Sequence, residues 1–309
     1  MYKKIQYLLK RTLRSFLRDY RNFFSIISKH IEVLFSHPFY YCREYLNMFK
    51  SLFLTLILRK LDLKKIVRKV NGLTFEFDLL IDKYMLNTYF GVWQSEIINT
   101  LLKYLKKEGI FIDVGANIGY ITVIAAGIVG KKGEVYSFEP IPRYFKRLQK
   151  VALTNKEFNI NTYNFALGNT IGVAEINLPE VNNIGNNSMV PGLIKDQEIK
   201  EIVKINVRRL DDFILNENLK KISLIKIDVE GYEFEVLKGL TKFFEQEKEN
   251  LPPIIVEITP RAYELMGYSL EELEIFMNKY SYHAYTSDGN NKIDLKKITK
   301  LMDILFLKK

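Results

Sequence analysis

The sequence predicts an α/β fold, a mostly parallel sheet with helices on both faces, preceded by a basic amphipathic helical N-terminal segment. Three observations predict it. From about residue 71, short and nearly continuous apolar runs alternate with helical stretches, the pattern of strands covered on both sides. Within that pattern, Phe111 to Thr122 reads as a strand, a glycine turn and a helix. Charge is the third: residues 1–70 hold 16 Lys/Arg against 4 Asp/Glu, a net of +12, whereas the other 239 hold 30 against 32, a net of −2. The chain therefore divides into a basic helical extension, residues 1–70, and a domain over residues 71–309.

In the extension, Leu9, Leu13, Phe16, Tyr20, Phe23, Ile27, Ile31 and Leu34 recur at steps of three or four. Arg11, Arg14, Arg18, Arg21 and Lys29 fall mostly on other faces, and His37-Pro38 breaks the pattern. A second amphipathic stretch runs around Leu46, Phe49, Phe53 and Leu56. Basic residues interrupt the first fifteen positions, so no secretory h-region is visible. The stretch Phe39 to Leu58 carries Arg43, Glu44 and Lys50, so it is no membrane span. Two readings of the stripe stand: it packs on the protein, or it lies on an anionic membrane surface. The expected location is cytoplasmic, with peripheral attachment to the inner membrane face under the second reading.

The domain opens at the turn Asn71-Gly72, followed by the alternating arm Leu73 to Asp78. A helix is predicted over 96–107, closed by Gly109. Strands follow at 110–114, 134–138 and 160–166, with helices at 118–128 and 142–155, the latter opened by Pro142. Further strands are predicted at 224–228 and 253–258, helices from 232 to about 247 and near 270–279, and a last strand at 303–306. Between 167 and 223 the rhythm is interrupted. Val173 to Leu178 and Val203 to Leu210 look like extra strands, joined by an Asn-, Gly- and Pro-rich stretch from Val181 that reads as a functional loop or a mobile insertion.

The chemistry is concentrated at the first turn. Ligands of open parallel sheets bind beyond the carboxyl ends of the strands, where Asp113-Val-Gly-Ala-Asn-Ile-Gly lies. Gly115 permits the tight turn, and Gly119 lets the helix approach the strand. A dinucleotide site needs a second glycine where backbone meets a pyrophosphate. Asn117 stands there, which disfavours a nicotinamide oxidoreductase and suits a cofactor without a pyrophosphate, S-adenosylmethionine. Glu139, ending the next strand in Phe138-Glu-Pro140, is placed to accept hydrogen bonds from two ribose hydroxyls.

The blocks IDVGANIGYIT, FEP, NFALGN, LIKIDVEGYEFEVLKGL and PPIIVEI, in that order and spacing, resemble the FkbM-type methyltransferases over about residues 90–306. The resemblance implies a class I, Rossmann-like, seven-stranded sheet, S-adenosylmethionine as cofactor, and methyl transfer to a hydroxyl of a sugar, glycolipid or other small molecule. It places Asp113, Gly115, Asn117, Gly119 and Tyr120, with Glu139 and Pro140, at the cofactor. Ala166 and Leu167 are expected near its adenine and Glu96 near its methionine end. Asn187-Ser188 is expected near the acceptor.

Methyl transfer to a hydroxyl needs an in-line approach and removal of a proton. In Lys226-Ile-Asp-Val-Glu-Gly, strand alternation sets Lys226, Asp228 and Glu230 on one side. They are the candidate acid, base and orienting groups, although Glu230 could instead cap the next helix. Asp228 with Glu257 offers two hard oxygen donors, and no metal is assigned on so little. Cys42 is the single cysteine, and the histidines are His30, His37 and His283, which excludes a disulfide framework and a Cys-based zinc site. His283, in Tyr282-His-Ala-Tyr, is expected to pack within a late strand. The near-neutral domain gives no argument for nucleic acid. The alternative to an enzyme is a non-catalytic Rossmann-like module attached to a membrane or an assembly.

Overall fold

The computed structural model describes residues 65–70, 73–78, 94–179, 187–248 and 250–308, so the amphipathic helices predicted before residue 65 lie outside the described residues. Strand β1 (Lys65–Val70) pairs antiparallel with β2 (Leu73–Asp78), Val70 facing Leu73. The hairpin therefore straddles the 70/71 position at which the sequence pattern changes.

The elements that follow are α1 (Ser95–Tyr104), β3 (Ile110–Val114), α2 (Tyr120–Val129), β4 (Glu134–Phe138), α3 (Pro142–Thr154) and β5 (Asn159–Tyr163). The interrupted region supplies β6 (Ala166–Leu167), β7 (Gly172–Leu178), β8 (Glu201–Arg208) and α4 (Leu210–Asn216). The chain closes with β9 (Ile222–Ile227), α5 (Glu233–Lys238), α6 (Thr241–Gln246), β10 (Ile254–Ile258), α7 (Pro260–Leu265), α8 (Leu270–Asn278), β11 (Tyr282–Thr286) and β12 (Met302–Lys308).

Seven strands form one sheet in the order β11-β12-β10-β9-β3-β4-β5, and only β12 runs against its neighbours. The chain winds outward from β3 through β4 to β5, then returns to lay β9 on the other side of β3. The crevice between β3 and β9 is thus the switch point at which such sheets bind ligands. Alternation along each strand fills both faces. Ile112, Val114, Ile225, Ile227 and Val256 join one buried cluster, Phe111, Val135, Leu224 and Ile255 the other. Burying large aliphatic side chains contributes about 1.5–3 kcal/mol each, which is why the period-2 pattern fixes the register.

The predicted strand 160–166 is two strands. β5 ends the large sheet, and β6 begins a separate sheet of order β6-β8-β7. The predicted helix 232–247 is likewise two, α5 and α6. The Gly239 carbonyl accepts the Asp211 amide at 3.0 Å and the Lys238 carbonyl accepts the Thr241 hydroxyl at 2.7 Å, which takes both out of the helical ladder. Helix α8 starts at a capping box in which Ser269 Oγ accepts the Glu272 amide and Glu272 Oε2 accepts the Ser269 amide. No helix among the described residues is long and apolar enough to cross a membrane.

Candidate active site

The turn after β3 is held by its neighbours on both sides. The amides of Gly115 and Ala116 donate to the Phe138 carbonyl, and the Asp228 amide donates to the Val114 carbonyl at 3.1 Å. Gly115 has φ +78°, and any side chain there would collide with the Asp228 carbonyl. Gly119 is left-handed too, with the tip of Leu148 against it, so the glycine admits α3 rather than the strand. Asn117, at φ +52°, is left-handed as Asn tolerates.

Glu139 lies beyond β4, 4% exposed. Its Oε2 accepts the Asn117 amide at 2.9 Å and its Oε1 accepts the Ile141 amide at 2.8 Å. Burial raises its pKa to about 7, against the pull of those two amides. Each oxygen keeps a further acceptor site, and Asn117 Oδ1 is buried without a protein donor. A buried carboxylate at this strand end, beside a turn in which a side chain at Gly115 would strike backbone, fits the ribose and methionine portions of S-adenosylmethionine.

Asp113 is fully buried beneath the turn, and Thr122 Oγ1 donates to its Oδ2 at 2.7 Å. Lys226, on β9 and 2% exposed, bridges Asp113 Oδ1 at 3.5 Å and Asp228 Oδ2 at 3.1 Å. Burial works against charge on Lys226, but Asp228 and Asp113 more than offset it, and the pKa rises. Lys226 is therefore a locked ammonium that ties the cofactor strand to Asp228.

Beyond β9 the chain turns sharply at Glu230, φ +57°, and Gly231, φ +102°. It is Glu233, not Glu230, that serves the start of α5: its Oε1 accepts the amides of Val229 at 2.9 Å and Gly231 at 3.0 Å. Glu230 is left to face Asp228 and Glu257, and each of these three offers a carboxylate oxygen within 4.8 Å of the others. Burial first, then the neighbouring carboxylates, raise Glu230 and Glu257 well above the usual carboxylate range. Asp303 stands opposite Glu257 in the β10–β12 register, its pKa raised to about 7 by burial and Asp228. Burial also raises Glu233 to about 7, despite its amide donors. Three of these carboxylates thus come from one chain segment, and β10 and β12 add one each.

Asp303 and Glu233 were not singled out by sequence. A lone acid in the largely apolar strand Met302–Lys308 is the available signal for the first. Other expected positions fall as follows. Tyr120 is buried with its ring edge-on to Phe75 at 5.8 Å. Asn164 Nδ2 donates to the carbonyls of Glu139 and Pro140. Ala166 and Leu167 are buried in β6, paired with β8. Glu96 Oε2 accepts Ser287 Oγ at 3.0 Å and so pins the loop after β11. His283 Nδ1 contacts Asn278 Oδ1 at 3.0 Å within β11. Of the polar loop, residues 180–186 lie outside the described residues, whereas Asn187 and Ser188 are buried against the Glu230 turn.

Comparison with known proteins points to a methyltransferase domain. The family model described as the methyltransferase FkbM domain matches residues 113–284, more than half of the chain. "Methyltransferase 1" of Beauveria bassiana is 25% identical over 193 residues, 52% of this chain and 76% of that protein. "Hexuronic acid methyltransferase AglP" of Haloferax volcanii is 27% identical over 165 residues, 53% of this chain and 62% of that protein. The "probable cobalt-precorrin-6B C(15)-methyltransferase (decarboxylating)" of Sulfolobus acidocaldarius is 35% identical over 136 residues, 41% of this chain and 65% of that protein.

Proposed function

The chain belongs to the FkbM methyltransferase family, and we propose that its methyl acceptor is a hydroxyl of a sugar, a glycolipid or another small molecule. It is an S-adenosylmethionine-dependent methyltransferase; the acceptor and the roles of individual residues are the proposal. The observation that carries it is the convergence of Asp228, Glu230 and Glu257 oxygens within 4.8 Å, next to the Gly115 turn. A hydroxyl is a weak nucleophile that must lose a proton as it attacks, and a carboxylate cluster serves that need. AglP, named for a hexuronic acid, supports a saccharide among the small molecules.

S-adenosylmethionine, when bound, supplies an electrophilic methyl group on a sulfonium. Glu139 would hold its ribose hydroxyls, and the Asp113–Gly119 turn would supply backbone. Lys226 holds Asp228 Oδ2 at 3.1 Å, so the other Asp228 oxygen is free to take the acceptor's proton. Glu230 and Glu257, held protonated by burial and by the neighbouring Asp228 charge, donate hydrogen bonds to the acceptor's remaining oxygens. The +12 charge of residues 1–70 against −2 elsewhere also suits attachment to an anionic membrane, where a lipid-linked sugar would be concentrated. Each Lys or Arg at such a surface contributes about 1 kcal/mol.

The test is transfer of labelled methyl from S-adenosylmethionine to fractionated sugars and glycolipids of the host, read by mass spectrometry with and without the protein. A methylated sugar hydroxyl is the expected product. Methylation of a nitrogen or a carbon instead would overturn the proposal. Salt-sensitive pelleting with anionic but not neutral vesicles is expected of the full chain, and no pelleting at any salt would remove the membrane part.

A further inference from the structure

The sequence DVEG places Glu230 where the backbone must be left-handed, and a non-glycine residue in that region carries strain that its surroundings have to hold. Glu230 has φ +57° and Gly231 follows at φ +102°. Glu233 takes the amides on either side of Glu230, through Val229 and Gly231. The carbonyl of Glu230 is taken from a different quarter. Ser188 Oγ donates to it at 2.6 Å, and the same Oγ accepts the Val190 amide at 3.0 Å.

Ser188 is itself fixed. It is 1% exposed, and its amide and carbonyl pair with Asn177 of β7 at 3.2 and 2.9 Å. Val190 and Leu193 close on Gly231 from the same side, so a side chain at Gly231 would press on both as well as on Ala262. Next to Ser188, Asn187 is 6% exposed with its Oδ1 buried and no protein donor to it. Folding alone has therefore not used up the polar atoms of this segment.

We propose that Ser188 is a positioning residue for methyl transfer: its hydroxyl clamps the strained Glu230 turn, and so aims the Glu230 carboxyl at the acceptor beside Asp228. The inference rests on the reading of Glu230 as a group that handles the acceptor. It gives residues 187–193 a mechanical task, which is to couple the small β6-β8-β7 sheet to the reaction. Ser188 touches no reacting atom. Its effect passes through the peptide of Glu230, and a displacement of about 1 Å at such a group costs up to about 100-fold in rate.

The test uses the full chain and an acceptor identified by the labelled-methyl assay. Ser188→Ala should lower kcat by about 10- to 100-fold, with the acceptor KM and the S-adenosylmethionine affinity each changed by less than about twofold. Ser188→Thr, which keeps the hydroxyl, should recover most of the rate. In a Glu230→Gln background, Ser188→Ala should cost nothing further, because the group it aims has already been disabled. Hydrogen exchange read by mass spectrometry needs no acceptor. It should quicken in Ser188→Ala at residues 189–193 and 229–232 and nowhere in the large sheet.

Three results would overturn the inference. One is a multiplicative loss in the double variant. Another is a fall in S-adenosylmethionine affinity as large as the fall in kcat, which would mean general damage. The third is exchange at 229–232 that does not change. A Glu230→Gln variant with full activity would remove the reading of Glu230 and the inference with it, whereas an inactive Glu230→Gln beside an unimpaired Ser188→Ala would remove the inference alone.

Discussion

On the cofactor side of the crevice, Glu139 accepts two backbone amides and Asp113 accepts Thr122 and faces Lys226. On the acceptor side, Glu257 Oε2 and Glu233 Oε2 are buried with no donor, and Asp228, Glu230, Glu257 and Asp303 mainly confront one another. The first half draws backbone and hydroxyl donors from the fold before any ligand arrives, although Asp113 Oδ1 and Asn117 Oδ1 stay buried without a hydrogen-bond partner. In the second, Glu230, Glu257 and Asp303 are raised by burial first and by neighbouring carboxylates next, with the Lys226 ammonium pulling Glu230 and Asp303 the other way. A site that binds a constant cofactor is best rigid. A site that must take a proton from a hydroxyl needs acids whose protons can move.

The largest effect is expected where the two halves touch. Gly115 lies against the Asp228 carbonyl at φ +78°. Gly115→Ala adds left-handed strain, about 1–3 kcal/mol, and a collision costing about as much again. Calorimetry should find S-adenosylmethionine binding abolished, and the thermal midpoint should fall. If alanine is tolerated with binding intact, the turn is not the rigid element described here.

Asp228→Asn separates the halves more finely. The variant keeps the shape of the side chain and its contact with Lys226, so cofactor affinity should change little. The rate should fall about 100-fold or more, the scale of one general base. Steady-state kinetics beside a binding isotherm gives both numbers. Near-normal turnover would assign the proton to another group, and Glu257 would be the next candidate by position.

The two halves also differ in how far they were legible in the sequence. Strands β3 and β4 are found residue for residue at 110–114 and 134–138, because a buried parallel strand is a short apolar run with sharp ends. The Gly115–Gly119 turn and Glu139 were legible because each answers a local demand, a positive φ or an acid at a strand end. The acceptor half is assembled from three regions distant in sequence. Asp303 meets Glu257 only because β12 runs antiparallel beside β10, a pairing that no local pattern announces. Glu230 is itself a possible cap for the helix start, and only geometry decides that Glu233 takes the amides. Helices α4 and α7 went unread for a related reason: each is under two turns long, too short for a 3.6-residue period to register.

The smallest effect bears on how complete the satisfaction of the cofactor half is. Glu139 is raised to about 7, chiefly by burial, so it gains its charge within the physiological range. A ribose hydroxyl donates more strongly to the ionised carboxylate. Affinity for S-adenosylmethionine should therefore rise with pH through 7 and level off above it. The ionised fraction grows about tenfold between one unit below the pKa and one unit above, which bounds the gain between pH 6 and pH 8. Without cofactor the sign reverses. The folded carboxyl keeps a proton that the unfolded chain sheds near 4.5, so its contribution to stability is full below 4.5 and is lost as pH rises towards 7. Glu233 and Asp303, raised by burial to about 7, act in the same direction. The unliganded protein should thus melt at a lower temperature at pH 8 than at pH 5, and saturating cofactor should narrow the difference. Glu139→Gln, which cannot titrate, should bind more weakly and lose the pH dependence of affinity while keeping most of the pH dependence of melting. If the Gln variant retains the wild-type affinity profile, the titrating group lies elsewhere and Glu139 does not meet the ribose.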